Sequence, residues 1–224
     1  MEAEHSPNAT PPNPKTMYLF YGFATITVSS TLFLLPFIVT PALPRKLYGA
    51  LPYQNTPTKH IKTALKLINN RIASKPPPNP TALPPQKLKF VDLGSGAGEA
   101  TIQASFANFD ALGVEINPSL LLYSRVASFI SRPPSCQFKS TNLITLPFQN
   151  YDVLFMFGVK PLIEQLKPKM ISEVRIGGLV CLYRFKLTGM DEHFEIVGRE
   201  GEVTLYERTP SKINEYNKIK LNLI

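Results

Sequence analysis

The spacing of apolar and polar residues divides the chain into segments of different character. Met17–Val39 is a run of 23 residues without a charge, which as a helix rising about 1.5 Å per residue would span roughly 34 Å. This length predicts a single transmembrane helix. The alternatives are a cleaved signal peptide, which would need a basic leader and a shorter apolar core, and a buried core helix.

A second apolar pattern has helical spacing. The stripe consists of Ile61, Ala64, Leu65, Ile68 and Ile72. Apolar residues at these intervals predict an amphipathic helix that ends near Ala73, with Thr56 as its cap and Pro57 at its first position.

From Lys87 onward, segments with strand and helix patterns alternate. The predicted strands are KLKFVDL, ALGVE, QFKS, DVLFMFGV and GLVCLYRF, and the predicted helices cover 99–108, 118–132 and 161–175. Such alternation predicts an α/β fold with a doubly wound, Rossmann-like, mostly parallel sheet. FEIVG and VTLYER are expected to form an antiparallel pair at the sheet edge.

Composition and charge refine this division. Fifteen of the 22 prolines precede Gln86, and residues 40–90 carry nine basic side chains and no acidic one. A basic segment after an apolar helix predicts contact with anionic membrane lipid and places the following domain on the cytoplasmic or matrix-equivalent side. The expected segments are a disordered tail (1–16), a transmembrane helix (17–39), a basic pre-domain helix with a Pro-rich linker (40–86), an α/β domain (87–208) and a C-terminal tail (209–224).

The most informative stretch is FVDLGSGAG at residues 90–98, where an apolar strand runs into a glycine-rich loop and then a helix. Glycines at the carboxyl end of a first strand let a ligand approach the backbone beside a helix amino terminus. The dinucleotide fingerprint would require glycine or alanine at position 99, where the chain has Glu99, so pyrophosphate is disfavoured. Asp92 precedes the glycines, and Glu115 ends the second strand.

The pattern D-x-G-x-G-x-G followed by Glu115 resembles motif I of class I S-adenosylmethionine-dependent methyltransferases. Within that class the chain is similar to the membrane-anchored mitochondrial protein-lysine N-methyltransferases of the ATP synthase c subunit or the adenine nucleotide translocase. The likeness covers about 51–185 and rests on LPYQNTP, VDLGSGAGE, GVEINPSLLLYSR, NYDVLFMFGV and GLVCLYRF. It implies transfer of a methyl group to a lysine of an integral membrane protein, by a single-pass inner-membrane protein with its catalytic domain in the matrix.

The resemblance also implies the residues that contact S-adenosylmethionine. They are Asp92, Gly94, Ser95, Gly96, Gly98, Glu115, Asn117 and Asn142. An acid in the place of Glu115 accepts hydrogen bonds from both ribose hydroxyls, and Asn142 stands where an aspartate commonly contacts the adenine amino group. Ala97 and Glu99 depart from the family, which usually has an acid and an arginine at these positions.

The acceptor lysine requires an apolar, aromatic-lined slot that favours the uncharged amine. Tyr53 in LPYQNTP is the candidate catalytic residue there, and Phe157 and Tyr183 at strand ends are further candidates.

Other chemistry is less favoured. The three histidines are far apart in sequence and no ligand spacing suggests a metal site. DVLFMFGV lacks the D/N-P-P-Y tetrad of enzymes that methylate bases, so no nucleic-acid partner is expected. Two other functions stay open: a non-catalytic membrane interaction module, and a nucleotide-dependent oxidoreductase, which would share the fold.

Overall fold

The computed structural model describes residues 13–39, 56–75, 87–158 and 160–211, with the side chains of all of these except 16 and 32–39. The chain divides into two compact units, residues 1–47 and 48–224. Within its described residues, 13–39, the first unit contains one helix, and the second unit contains the sheet.

The helix of the first unit is α1, Pro14–Val39. It begins three residues before the predicted segment, and the hydroxyls of Thr25 and Ser30 donate to backbone carbonyls four residues earlier at 2.7 Å. Across the described ranges, no helix has both the length and the apolar character needed to cross a membrane. The prediction that Met17–Val39 is transmembrane is therefore not confirmed.

The second unit is built on a seven-stranded sheet. The strands are β1 (Lys89–Leu93), β2 (Asp110–Val114), β3 (Cys136–Lys139), β4 (Val153–Met156), β5 (Leu179–Tyr183), β6 (Phe194–Glu200) and β7 (Val203–Arg208). Their order is β3-β2-β1-β4-β5-β7-β6. The first five strands are parallel, and the predicted antiparallel pair of β6 and β7 at the edge is confirmed.

Four α-helices accompany the sheet in the described part of this unit. They are α2 (Thr58–Ala73), α3 (Glu99–Phe106), α4 (Pro118–Ser131) and α5 (Lys160–Glu173). The apolar residues of α2 and α3 cluster with alternate strand residues such as Phe90, Phe155 and Cys181. Those of α5 cluster with the other strand residues, such as Val91 and Leu154. Helices thus cover both faces, as the alternating pattern predicted.

The helix α2 packs directly on the sheet through the predicted stripe. Ile61, Ala64, Leu65 and Ile68 are buried, and Ile72 is partly buried against the same cluster. The prediction that Thr56 caps this helix is wrong: the N-cap is residue 57, without a side-chain capping bond, and Thr56 is buried.

Ion pairs fasten the carboxyl end of α2 to β7. Arg71 Nε donates to Glu207 Oε2 at 2.6 Å, and Lys75 Nζ lies 3.2 Å from Glu207 Oε1. Burial works against ionisation of Glu207, but the bonds from these two cations outweigh it and lower the pKa of the carboxyl. The basic segment before the sheet therefore contributes to the fold as well as to surface charge.

Candidate functional site

The glycine loop lies where β1 ends, at the edge of the sheet reached by the carboxyl ends of the parallel strands. Gly94 is exposed, has a φ of +81°, and has open space where a side chain would begin. Gly94 N and Ser95 N both donate to Val114 O at 2.9 Å, which fixes the loop to the end of β2. The backbone is therefore accessible from solvent and held in one conformation.

The start of α3 approaches its neighbours so closely that only glycine fits at its N-cap. Gly98 has a φ of +84°, and a Cβ there would lie 2.6 Å from Phe138 Cζ and 2.8 Å from Ser124 Cβ. A Cβ on Gly113 of β2 would meet the same ring at 2.5 Å. Phe138 of β3 thus packs against both the loop and β2, a role that its sequence did not indicate.

Glu115 binds the backbone on both sides of its own position. Its Oε2 accepts from Gly96 N at 3.0 Å, and its Oε1 accepts from Asn117 N at 2.8 Å. The side chain is half-buried. Because a carboxylate has about four acceptor positions, each oxygen can still accept one further bond, such as one from a hydroxyl. The structure thus places a carboxylate with spare acceptor capacity beside the glycine loop.

Asp92 lies on β1 beneath the loop and is 3% exposed. Its Oδ2 accepts from Thr101 Oγ1 of α3 at 3.0 Å. Burial raises the pKa of the Asp92 carboxyl to about 7; the bond from Thr101 opposes the rise, and the negative charge of Glu115 adds to it. The carboxyl is therefore a buried brace between β1 and α3 that titrates near neutral pH.

Ser95 is also buried, and its hydroxyl has no hydrogen-bond partner among the described residues. A Cβ on Gly113 would lie 2.8 Å from Ser95 Oγ. The hydroxyl therefore lies against β2, on the inner side of the loop. An unpaired buried hydroxyl is costly, and such groups are commonly satisfied by a water or ligand.

The two asparagines lie at this edge of the sheet in local turns. Asn117 caps α4, with its Oδ1 accepting from Ser119 N at 2.9 Å, as expected for asparagine at an N-cap. Asn142 follows β3, is exposed, and accepts from Ile144 N at 2.9 Å. The structure brings seven of the eight predicted cofactor positions into the β1 loop and the end of β2, with Asn142 in the loop that follows β3.

Tyr53, the predicted catalytic residue, lies outside the described residues. The structure instead brings the first turn of α2 to this edge. Thr58 Oγ1 donates to Glu99 Oε1 at 2.5 Å, so the residue that departs from the family pattern is engaged by α2. In the same turn, the His60 ring packs against the Tyr183 ring, tilted by 30°, with 4.6 Å between centroids. Sequence reasoning considered the histidine only as a metal ligand and missed this contact.

In the part of the chain that the structure describes, no group of three or more His, Cys, Asp or Glu side chains could hold a metal ion. Cys136 is half-buried and Cys181 is buried, both as free thiols.

A family model described as the ANTKMT methyltransferase domain matches residues 92–193. The ATP synthase c subunit lysine N-methyltransferase of Rattus norvegicus is 31% identical over 165 residues, covering 73% of this chain and 67% of the relative. That of Homo sapiens is 32% identical over 148 residues, covering 66% of this chain and 56% of the relative. The matched part of the chain thus spans between about half and two thirds of these relatives' length.

Solved structures show the same fold. An RNA methyltransferase from Salinibacter ruber, in complex with S-adenosyl-L-homocysteine, has a TM-score of 0.55 at 20% identity over 71% of this chain and 95% of its own. A ribosomal protein L11 methylase from Lactobacillus delbrueckii subsp. bulgaricus has a TM-score of 0.51 at 15% identity over 71% of this chain and 91% of its own. With this Rossmann-like methyltransferase fold, and with the identity and coverage of the rat relative, the chain belongs to the family of ATP synthase c subunit lysine N-methyltransferases.

Proposed function

We propose that this chain transfers a methyl group from S-adenosylmethionine to a lysine of the ATP synthase c subunit. The observation that carries the proposal is the Glu115 carboxylate, fixed by Gly96 N and Asn117 N beside an exposed glycine loop. This arrangement suits a ligand that carries vicinal hydroxyls. Relatives named for the same reaction and acceptor support the choice of substrate.

The donors and acceptors at this edge fit S-adenosylmethionine. Glu115 has spare capacity for the ribose hydroxyls. Gly94 leaves space for the ligand against the backbone, and the unpartnered Ser95 hydroxyl offers a polar group under the loop. Asn142 has a second lone pair on its side-chain oxygen for an amino group. When bound, the cofactor supplies a methyl group already activated by the positive sulfur.

The remaining task of the protein is to align and deprotonate the acceptor. A lysine amine with an ordinary pKa of about 10.4 is neutral in only about one molecule in a few thousand at pH 7. An apolar slot lowers that pKa by disfavouring the charged form. Holding the amine in line with the methyl group lowers the activation free energy of the transfer by several kcal/mol through proximity. Tyr53 stays a prediction for this slot.

The proposed location is the mitochondrial inner-membrane surface on the matrix side, where an integral membrane protein presents its lysine. Apolar side chains of α1 such as Leu19, Phe20 and Phe23 are more than two thirds exposed, which suits insertion among lipid acyl chains. Of the nine basic side chains of residues 40–90, Lys66, Arg71 and Lys75 form ion pairs within the domain. The others suit anionic headgroups, at about 1 kcal/mol for each well-placed charge. The full-length protein should stay in carbonate-washed mitochondrial membranes, and a variant without residues 1–40 should be released from them. Release of the full-length protein would refute this location.

The test of function uses the purified full-length protein, the ATP synthase c subunit and S-adenosylmethionine with a labelled methyl group. We expect label on a lysine of the c subunit, and calorimetry should show cofactor binding that Glu115→Ala weakens by tenfold or more through loss of its hydrogen bonds. Glu164→Ala, which removes an exposed carboxylate of α5, is the matched control and should bind normally. If mitochondrial membranes are used as the acceptor and only the adenine nucleotide translocase carries label, the translocase and not the c subunit is the substrate. Binding of a nicotinamide cofactor instead would overturn the proposal.

A further inference from the structure

Three rings lie together where β4 and β5 end. The Tyr183 ring is 4.6 Å from the His60 ring, with an interplanar angle of 30°. The Phe157 ring is 4.9 Å from the Tyr183 ring, at 50°. His60 comes from the first turn of α2, so this aromatic group joins a helix to two strand ends.

The register of the sheet places the aromatic group next to the glycine loop. Asp92 of β1 pairs with Phe155 of β4, so Phe157 is level with Gly94 on the adjacent strand. Tyr183 is one strand further, and neighbouring strands are about 4.8 Å apart. The Thr58 bond to Glu99, two residues before His60, ties the same turn of α2 to the start of α3.

Tyr183 is the buried member of this aromatic group and is held by a hydrogen bond. It is 4% exposed, and its hydroxyl donates to Glu202 Oε2 at 3.1 Å. Burial, together with the bond to Glu202, raises the pKa of the phenol, so it stays neutral at physiological pH. His60 and Phe157 are only half-buried and lie at the surface of the group. Among the described residues, none forms a hydrogen bond with the His60 ring nitrogens.

We propose that His60 and Phe157 line the subsite for the acceptor lysine, with the imidazole accepting a hydrogen bond from the ε-amino group. This inference rests on the proposed function and names the residues that receive its substrate. The four methylene groups of lysine pack well on aromatic faces, and a neutral imidazole has one ring nitrogen that accepts. The link through Thr58 and Glu99 holds His60 in a constant position relative to the cofactor loop.

The variant His60→Phe tests the hydrogen bond, because it keeps a ring on Tyr183 and removes the nitrogen. Using the full-length chain and the ATP synthase c subunit, we expect kcat/KM for this acceptor to fall about tenfold, with the Kd for S-adenosylmethionine within twofold of wild type. Asn69→Phe, which adds the same ring at an exposed position of α2, is the matched control and should keep its activity. A His60→Phe variant with kcat/KM within twofold of wild type would overturn the inference.

A second variant guards against a folding defect in the first. His60→Ala leaves room for added imidazole, which should restore part of the methylation rate while having no effect on Asn69→Phe. Pyrrole, a ring of the same size without an accepting nitrogen, can restore the packing but not the hydrogen bond, and it should not rescue. Equal rescue by pyrrole, or absence of rescue by imidazole in a variant that still binds cofactor, counts against the subsite. Failure of the wild-type protein to methylate the c subunit would instead overturn the proposed function, and that result is distinguishable because it does not involve His60.

Discussion

The buried carboxyl of Asp92 predicts a stability that depends on pH in an unusual direction. Its pKa is raised from 3.8 to about 7 in the folded protein, so the folded state holds this proton more tightly than the unfolded state. Between about pH 4 and pH 7 the folded state therefore binds more protons, and the free energy of unfolding falls as the pH rises. The loss is complete only above pH 7.

The size of the effect follows from the two pKa values. With about 1.4 kcal/mol for each unit of difference, this group lowers the free energy of unfolding by on the order of 2 to 3 kcal/mol between pH 5 and pH 8. Asp92→Asn removes the titration, and its amide oxygen can still accept the bond from Thr101. Between pH 5 and pH 8, the free energy of unfolding of the variant should therefore rise relative to that of the wild type by the same amount.

Urea unfolding of the full-length protein, followed by far-ultraviolet circular dichroism at pH 5 and pH 8, measures this difference. Asp191→Asn is the control, because that residue is exposed in the loop before β6. A difference between Asp92→Asn and wild type that stays constant with pH, or that favours wild type at pH 8, would refute the argument. S-adenosylmethionine, which is positively charged, should also bind wild type more tightly at pH 8 than at pH 6, and Asp92→Asn should lose that dependence.

Three further predictions concern packing and charge. Glu207→Gln should destabilise the fold by about 1 to 3 kcal/mol at pH 7, because Arg71 and Lys75 lose a charged partner. Urea unfolding should show this difference shrinking in acid, as the pH falls through the lowered pKa of the carboxyl. Gly98→Ala should lower Tm by several degrees more than Gly189→Ala, because both have positive φ but only the first has neighbours in the way. In alkylation followed by mass spectrometry, Cys136 should be modified slowly in the native protein, and Cys181 only after unfolding, since burial raises both thiol pKa values and only Cys136 is partly exposed.

The strands and helices of the α/β unit could be predicted from sequence because local spacing determines them. Predicted segments such as ALGVE and GLVCLYRF became β2 and β5 with shifts of one or two residues. The apolar stripe of α2 was equally readable. The predicted N-cap of α2 was wrong because Thr56 is buried and residue 57 takes the N-cap position. Burial of Thr56 depends on tertiary structure, which local spacing does not show.

The candidate site also combines features that local sequence predicts with features that depend on tertiary contacts. Glycine spacing and the strand-end acid were visible because motif residues lie close together in sequence. The contact of His60 with Tyr183 joins residues more than a hundred positions apart, and the packing of Phe138 against Gly98 depends on the order of the strands. Neither leaves a periodic signal. Asp92 could be located as an acid, but its burial and raised pKa follow only from the packing of α3.

The order of strands in the sheet also affects how the chain is made. β5 is buried along its whole length, and its outer side pairs with β7, which ends at Arg208. During synthesis, β5 leaves the ribosome before β7, and the growing chain then carries an apolar strand with an unpaired edge. Such edges pair readily with other chains. The segment 194–208, which forms β6 and β7, thus protects the nascent protein from aggregation. A premature stop before β7 would leave an insoluble product even with every cofactor residue present.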